Sequence, residues 1–216
     1  MRKITTFLLL SLILVSCVSN RSQDPKIFFE GSTCATTCWH GLLLGQTTMA
    51  ESKVLLASLP YVSKESFKAD PDYLFWRFTD QASGQGRLYF DAAGQLKKIV
   101  LNPDGVILHE AIDSFGPPDY AWARYLPGDR PTYALTLYYP SRGITLDVRD
   151  EPTMSTNTSG NIAEDMRVSE IRFFAPTTID QVLNDIDAWS PENVEYIRTH
   201  LQPWPGFGEN VIQIKP

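Results

Sequence analysis

The chain has 216 residues, 43% of them apolar and 20% charged, and a formal net charge of −6. That length suffices for one or two small domains with cores of their own. An acidic balance without a basic run excludes the usual electrostatic footprint of a nucleic-acid or anionic-lipid binder.

The first element is "MRKITTFLLLSLILVS", residues 1–16, with Arg2 and Lys3 ahead of an uncharged run from Ile4 to Val15. This run is too short to span a bilayer and has the layout of a secretory signal. Its continuation, "LVSC", resembles the bacterial lipobox, in which the cysteine, here Cys17, is diacylated and becomes the mature N-terminus. The alternative is an ordinary signal peptide with an incidental cysteine near its cleavage site. At ~0.8 kcal/mol per buried methylene, one acyl chain binds marginally and two hold stably. The expected address is therefore exported and lipid-anchored, on a bacterial cell membrane or outer membrane. Cleavage removes Arg2 and Lys3 and no acid, taking the formal charge from −6 to −8. The polar stretch "VSNRSQDPK" then reads as a tether, and residues 17–38 as tether plus disulfide loop.

"CATTCWHG" follows, with Cys34 and Cys38 four positions apart. In an exported protein an isolated pair is expected to oxidise, and closing so short a loop constrains the unfolded chain by roughly 2 kcal/mol. A redox pair would favour CxxC spacing. A metal centre would need ligands beyond His40, and the remaining histidines, His109 and His200, are distant in sequence. A staple is the expected reading, with metal and redox as alternatives. His40 reads as a surface neighbour of Trp39.

Residues 39–101 read as a helix followed by strands. Thr48 and Glu51 form a capping-box pattern ahead of a stripe of Val54, Leu55, Leu56 and Leu59, and Pro60 ends the helix. "YVSKESFK" is a weak edge strand. In "YLFWRF" Leu74, Trp76 and Phe78 share a face, and "GRLYFDAAGQLKKIVL" is a hairpin turning at Asp91–Gly94 with Leu88, Phe90, Ile99 and Leu101 inward.

The same order recurs over residues 102–176. Ile107, Leu108, Ala111, Ile112 and Phe115 form a helical stripe capped at Asp104 or Gly105 and closed by Gly116 and two prolines. "DYAWARY", "TYALTLYY", "GITLDVR" and "MRVSEIRFF" are four strands, with turns at "PGDRP" and "PSRG". Residues 177–216 differ. "TTIDQVLNDIDAW" carries Ile179, Val182, Leu183 and Ile186 on one face, and "SPENVEYIRTHL" has a serine cap with proline at its first helical position. These helices are expected to pack across the two repeats, with the tail running irregularly over the surface on Trp204 and Phe207. The fold class is α+β: two tandem helix-plus-antiparallel-sheet repeats with two C-terminal helices.

A helix opened by Thr48, an aromatic strand and a hairpin of the "LYFDAAGQLKKI" kind resemble the SmpA/OmlA (BamE-like) small bacterial lipoproteins over residues 41–101, and more loosely over 102–174. That resemblance implies helices on a three-stranded antiparallel sheet and a part in outer-membrane β-barrel assembly. The chain departs from the family in having Leu59 where the family has glycine before Pro60, and in the second copy. In architecture the duplicated arrangement also resembles the β-lactamase inhibitory proteins. Both resemblances imply protein binding, and neither carries over catalytic residues.

No HExxH, phosphate loop, GxSxG or dinucleotide fingerprint occurs in the sequence, and no cofactor is expected. His109 falls on the polar side of its helix beside Glu110, and Asp185 and Asp187 are carboxylates of a solvated helix face. Asn157 in "NTS" matches a glycosylation sequon that means little in a bacterium. The leading class is a non-catalytic envelope lipoprotein with a protein partner. A carrier of a small or lipidic ligand in a groove between sheet and helices is the alternative, and an enzyme a third. The partner surface is expected in the second repeat, where Tyr120, Trp122 and Arg124 alternate on one face, together with the polar loop 150–161. The opposing reading places those aromatics in the core.

Overall fold

The computed structural model describes residues 25–29, 38–79, 84–126, 132–150, 159–186 and 190–213. Cys17, Cys34, the signal and tether of residues 1–24, the "PGDRP" turn and Asn157 lie outside these. Among the described residues no helix is long and apolar enough to cross a membrane.

The fold is α+β, built on an antiparallel sheet of nine strands. A short hairpin, β1 (Cys38–Trp39) and β2 (Leu42–Leu43), leads into α1 (Met49–Ser58) and then β3 (Val62–Asp70), β4 (Tyr73–Phe78), β5 (Gly84–Phe90) and β6 (Leu96–Pro103). Next come α2 (Leu108–Phe115), β7 (Tyr120–Leu126), β8 (Thr132–Tyr139), β9 (Ile144–Asp150), β10 (Ser159–Ile162) and β11 (Arg167–Phe174). The chain closes with α3 (Ile179–Gln181), which runs on as a π-helical turn (Val182–Ile186), then α4 (Pro191–His200), β12 (Gln202–Pro203) and β13 (Gly208–Gln213). The strand order is β12-β7-β8-β9-β11-β6-β5-β4-β3, so β6 and β11 meet at the centre.

One face of this sheet holds the main core. Leu74, Trp76, Leu88, Ile99, Leu137, Leu146 and Phe173 are all buried there, and α1 and α2 lay Leu56, Leu108, Ala111 and Phe115 on the same cluster. The alternation read from the sequence therefore holds for the central strands. The Asp91–Gly94 turn forms as expected, with Gly94 at φ 76°, a backbone conformation that glycine adopts without penalty.

The capping box of α1 forms: Glu51 N–H donates to Thr48 Oγ1 and Thr48 N–H donates to Glu51 Oε2 at 2.8 Å. The Thr48 N–H and, second, the Thr48 hydroxyl donate to this carboxylate and favour its ionised form, so Glu51 titrates below its ordinary value near 4.5. Their contribution is present above the unfolded pKa and is lost as the pH falls through the lowered one. Thr48→Ala is expected to cost about 1 kcal/mol, read as a lower urea midpoint with an unchanged slope.

Several expectations are corrected. Val54 is 72% exposed and outside the stripe, because Ser52 and Leu56, one turn apart, face the sheet and Val54 lies midway between them. The cap of α2 is Ile107, whose N–H donates to Glu110 Oε2 and whose backbone bridges Arg167; Asp104 and Gly105 precede it. The tail is ordered into strands: β12 pairs with β7, and β13 pairs with β10, which takes up the end of the expected loop 150–161; residues 151–158 of that loop lie outside the described residues. Within residues 17–38, expected as tether plus disulfide loop, Phe28 packs edge-on against Phe78 at 5.2 Å and Phe29 against Phe115 at 5.2 Å, so these two residues belong to the core.

Candidate functional site

The "CWH" stretch is internal. Cys38 and Trp39 are fully buried, and the Trp39 indole stacks on Trp76 with centroids 5.9 Å apart. Cys38 is disulfide-bonded. His40, expected at the surface, is half-buried at φ 46°, with Nε2 2.9 Å from Ile27 O and 2.8 Å from Tyr61 Oη. It joins the N-terminal segment to the start of β3 and is a structural histidine. His109 is exposed, as expected, with Nε2 3.2 Å from Asp113 Oδ2, one helical turn on. Among the described residues no three His, Cys, Asp or Glu side chains gather into a metal site.

The outer sheet face, opposite α1 and α2, divides into three zones. Residues directly paired across antiparallel strands point the same way, so the register can be followed across it. Over β7, β8 and the end of β11 lie the C-terminal helices: Trp122, Tyr138 and Phe174 are buried against Val182, Leu183, Val194 and Ile197. The expected partner surface is thereby corrected. Trp122 is only 4% exposed, Tyr120 packs against the same cluster, and the Arg124 guanidinium carbon sits 5.0 Å from the Trp122 ring centroid. These residues are brought together, but beneath the chain's own helices. The helices do not straddle the two halves of the sheet, as expected; they sit on the second half.

A charged strip crosses the middle. Arg172 pairs with Asp147 and, at 2.6 Å, with Glu170. Thr136 Oγ1 donates to Asp147 at 2.7 Å, and Asn102 Nδ2 donates to Glu170 at 3.1 Å. Arg172, Asp147 and Glu170 answer one another's charge, so the strip reads as a boundary.

Beyond it, over β4, β5 and β6, the outer face is aromatic and cationic. Tyr73 pairs with Tyr89, Phe75 with Arg87, Tyr89 with Lys98 and Arg87 with Val100, which places all of these side chains outward. Tyr73, Phe75, Arg87, Tyr89 and Lys98 are half-buried, and none belongs to either apolar core cluster. The Arg87 guanidinium carbon lies 6.0 and 5.9 Å from the Tyr73 and Tyr89 centroids, and Arg87 Nη1 donates to Tyr89 Oη at 2.9 Å. Lys98 Nζ lies 4.8 Å from the Tyr89 centroid. Tyr73 donates its hydroxyl to Asp70, which raises its pKa. Mutual cation–π contact holds these side chains in place. The arrangement offers rigid aromatic area with a guanidinium in its midst, a composition suited to binding.

Sequence reasoning passed over this set, although "YLFWRF" carries aromatics on both alternations: Leu74, Trp76 and Phe78 fill the core, leaving Tyr73, Phe75 and Arg77 to face out.

No family model matches the chain, and no curated protein does. Among solved structures, the crystal structure of a DUF4309 family protein (YjgB) from Bacillus subtilis is similar over 72% of this chain and 99% of that one, at 13% identity and a TM-score of 0.36. A superposition that loose carries no argument about fold or function. No comparison ties the chain to an enzyme.

Proposed function

We propose that this chain is a non-catalytic cell-envelope lipoprotein, anchored through Cys17, that binds a protein partner on the outer face of β4–β6. The observation that carries the reading is the half-exposed set Tyr73, Phe75, Arg87, Tyr89 and Lys98, large rigid side chains already ordered against one another. Preordered aromatics lose little entropy on binding. The carrier reading has less support, because the space between the sheet and helices α1 and α2 is filled by Trp39, Trp76, Leu88 and Phe173. Affinity capture of the tagged full chain from membranes after mild crosslinking tests the proposal. Tyr89→Ala is expected to lose the partner while folding stability changes by less than about 1 kcal/mol, since a half-buried side chain on an open face is removed without leaving a cavity. Undiminished capture would contradict it.

The same proposal includes a tandem duplication. Its support is in the backbone: Thr47 O accepts from Leu96 N in the first half and Val106 O from Val168 N in the second. Each following residue, Thr48 or Ile107, caps its helix, with Glu51 or Glu110 bonded to the cap N–H, and makes an isolated bridge to Gln95 or Arg167.

At the N-terminus, Cys17 is proposed to carry lipid and Cys38 to pair with Cys34. Fatty-acid labelling in a bacterial host should vanish in Cys17→Ser, and labelling that persists would sink the anchor. Mass spectrometry without reductant should place Cys34 and Cys38 in one linked peptide; free Cys34 thiol would refute the pairing. From Cys17 to Pro25 the chain reaches at most about 28 Å, at ~3.5 Å per residue, so an acylated Cys17 would keep the domain close to the bilayer.

A further inference from the structure

We infer that the occupant of the β4–β6 face is an acidic amphipathic helix presented by a protein partner, an inference that rests on reading this face as a protein-binding surface. The first ground is what the same sheet takes in cis. The register runs from Phe75 through Arg87 and Val100 to Arg172, Thr145 and Tyr138, so Phe75 and Tyr138 occupy the second strand outward on either side of the central β6–β11 pair. Tyr138 is buried under the C-terminal helices, whereas Phe75 is half-exposed. Those helices are amphipathic and acidic: Val194 and Ile197 of α4 face the sheet, with Val182 and Leu183 of the π-helical turn, while Asp180, Asp185, Glu192 and Glu195 stand against one arginine, Arg198.

The second ground is charge. Lys68, Arg77, Arg87 and Lys98 all point outward on this half, where Asp70 is bonded to Tyr73. Arg172 on the same row is met by two carboxylates. Arg87 has no ion pair among the described residues; it is held by two phenols, and its buried Nε has no hydrogen-bond partner. A guanidinium so placed is aimed at a carboxylate from outside, where removing water strengthens the pair. Size agrees as well: with β3, which carries Lys68, the four strands β3–β6 at ~4.8 Å spacing put about 15 Å between the outer strands, room for one helix of ~10 Å diameter with its flanking side chains.

The test uses the full chain in detergent micelles and a fluorescent synthetic helix of about 18 residues, five turns, with a leucine stripe and a glutamate polar face. Controls are the same peptide with lysine for glutamate, the same peptide broken by two central prolines, inorganic phosphate, and chitohexaose. The acidic helix should bind saturably, the lysine and proline versions should not, and Arg87→Gln should weaken binding at least about tenfold, or about 1.4 kcal/mol. Lys98→Gln, which removes a peripheral charge, should weaken it two- to threefold, and both variants should keep the wild-type melting temperature. Equal binding of acidic and basic helices, no effect of Arg87→Gln, or no binding of any helix would overturn the inference. So would self-association of the full chain that Arg87→Gln abolishes, which would assign the face to a second copy. If no helix binds but a photo-crosslinker at position 75 still forms protein adducts in cells, the helix falls and the protein-binding reading stands. Chitohexaose binding that Phe75→Ala abolishes would overturn both.

Discussion

Trp122→Ala is expected to cost about 3–5 kcal/mol of folding stability and to leave partner capture intact wherever the variant folds. The indole is buried between the β7–β8 surface and the C-terminal helices, in a cluster with Tyr138, Phe174, Val182, Leu183, Val194 and Ile197. Its removal opens a cavity under α4, and the helices cannot settle into it, because β12 ties the chain after α4 to β7 and β13 ties the tail to β10. Arg124, 5.0 Å from the same ring centroid, loses its aromatic seat. The check is chemical denaturation together with limited proteolysis. A stability loss below about 1 kcal/mol, the range of ordinary surface substitutions, would mean that the helices do not cover this face.

Gly86→Ala is the second large effect, expected near 3 kcal/mol, at the upper end of overpacking costs. Gly86 lies at the centre of β5, and a Cβ built there would stand 2.0 Å from Trp76 Cζ2. The ring cannot retreat, since it is fully buried, stacked on Trp39 and edge-on to Phe78 at 6.1 Å. The pair should be strongly non-additive: Trp76→Leu alone destabilises by leaving a void, and adding Gly86→Ala to it should cost much less than Gly86→Ala alone. Simple additivity in that double-mutant cycle would show that the clash is not the cause.

These two positions mark how far the sequence could be read. Alternation tells which residues of a strand share a face, and it sorted Leu74, Trp76 and Phe78 from Tyr73, Phe75 and Arg77 correctly. It does not tell which distant element covers a face, and so Tyr120, Trp122 and Arg124 read as a surface while Val182 and Leu183 of the π-helical turn and Val194 and Ile197 of α4 lie over them. Local chemistry was legible where the signal was local: the Thr48–Glu51 box, the Asp91–Gly94 turn, the serine cap of α4. It failed at Ile107, where an apolar residue caps a helix because Glu110 and the bridge to Arg167 satisfy its backbone. The β10–β13 pair joins polar segments far apart in sequence, and no periodicity foretells such a partner. The residues proposed to bind were missed for a related reason: aromatics on both alternations of a strand look like core from sequence alone.

The most direct measurement of the central proposal is site-specific photo-crosslinking in living cells, with p-benzoylphenylalanine in place of Phe75 in one strain and of Tyr196, exposed on α4, in another. The account predicts a discrete protein adduct from position 75, lost when Arg87→Gln is added, and none from position 196. An adduct from position 196 alone, or none from position 75, would contradict it.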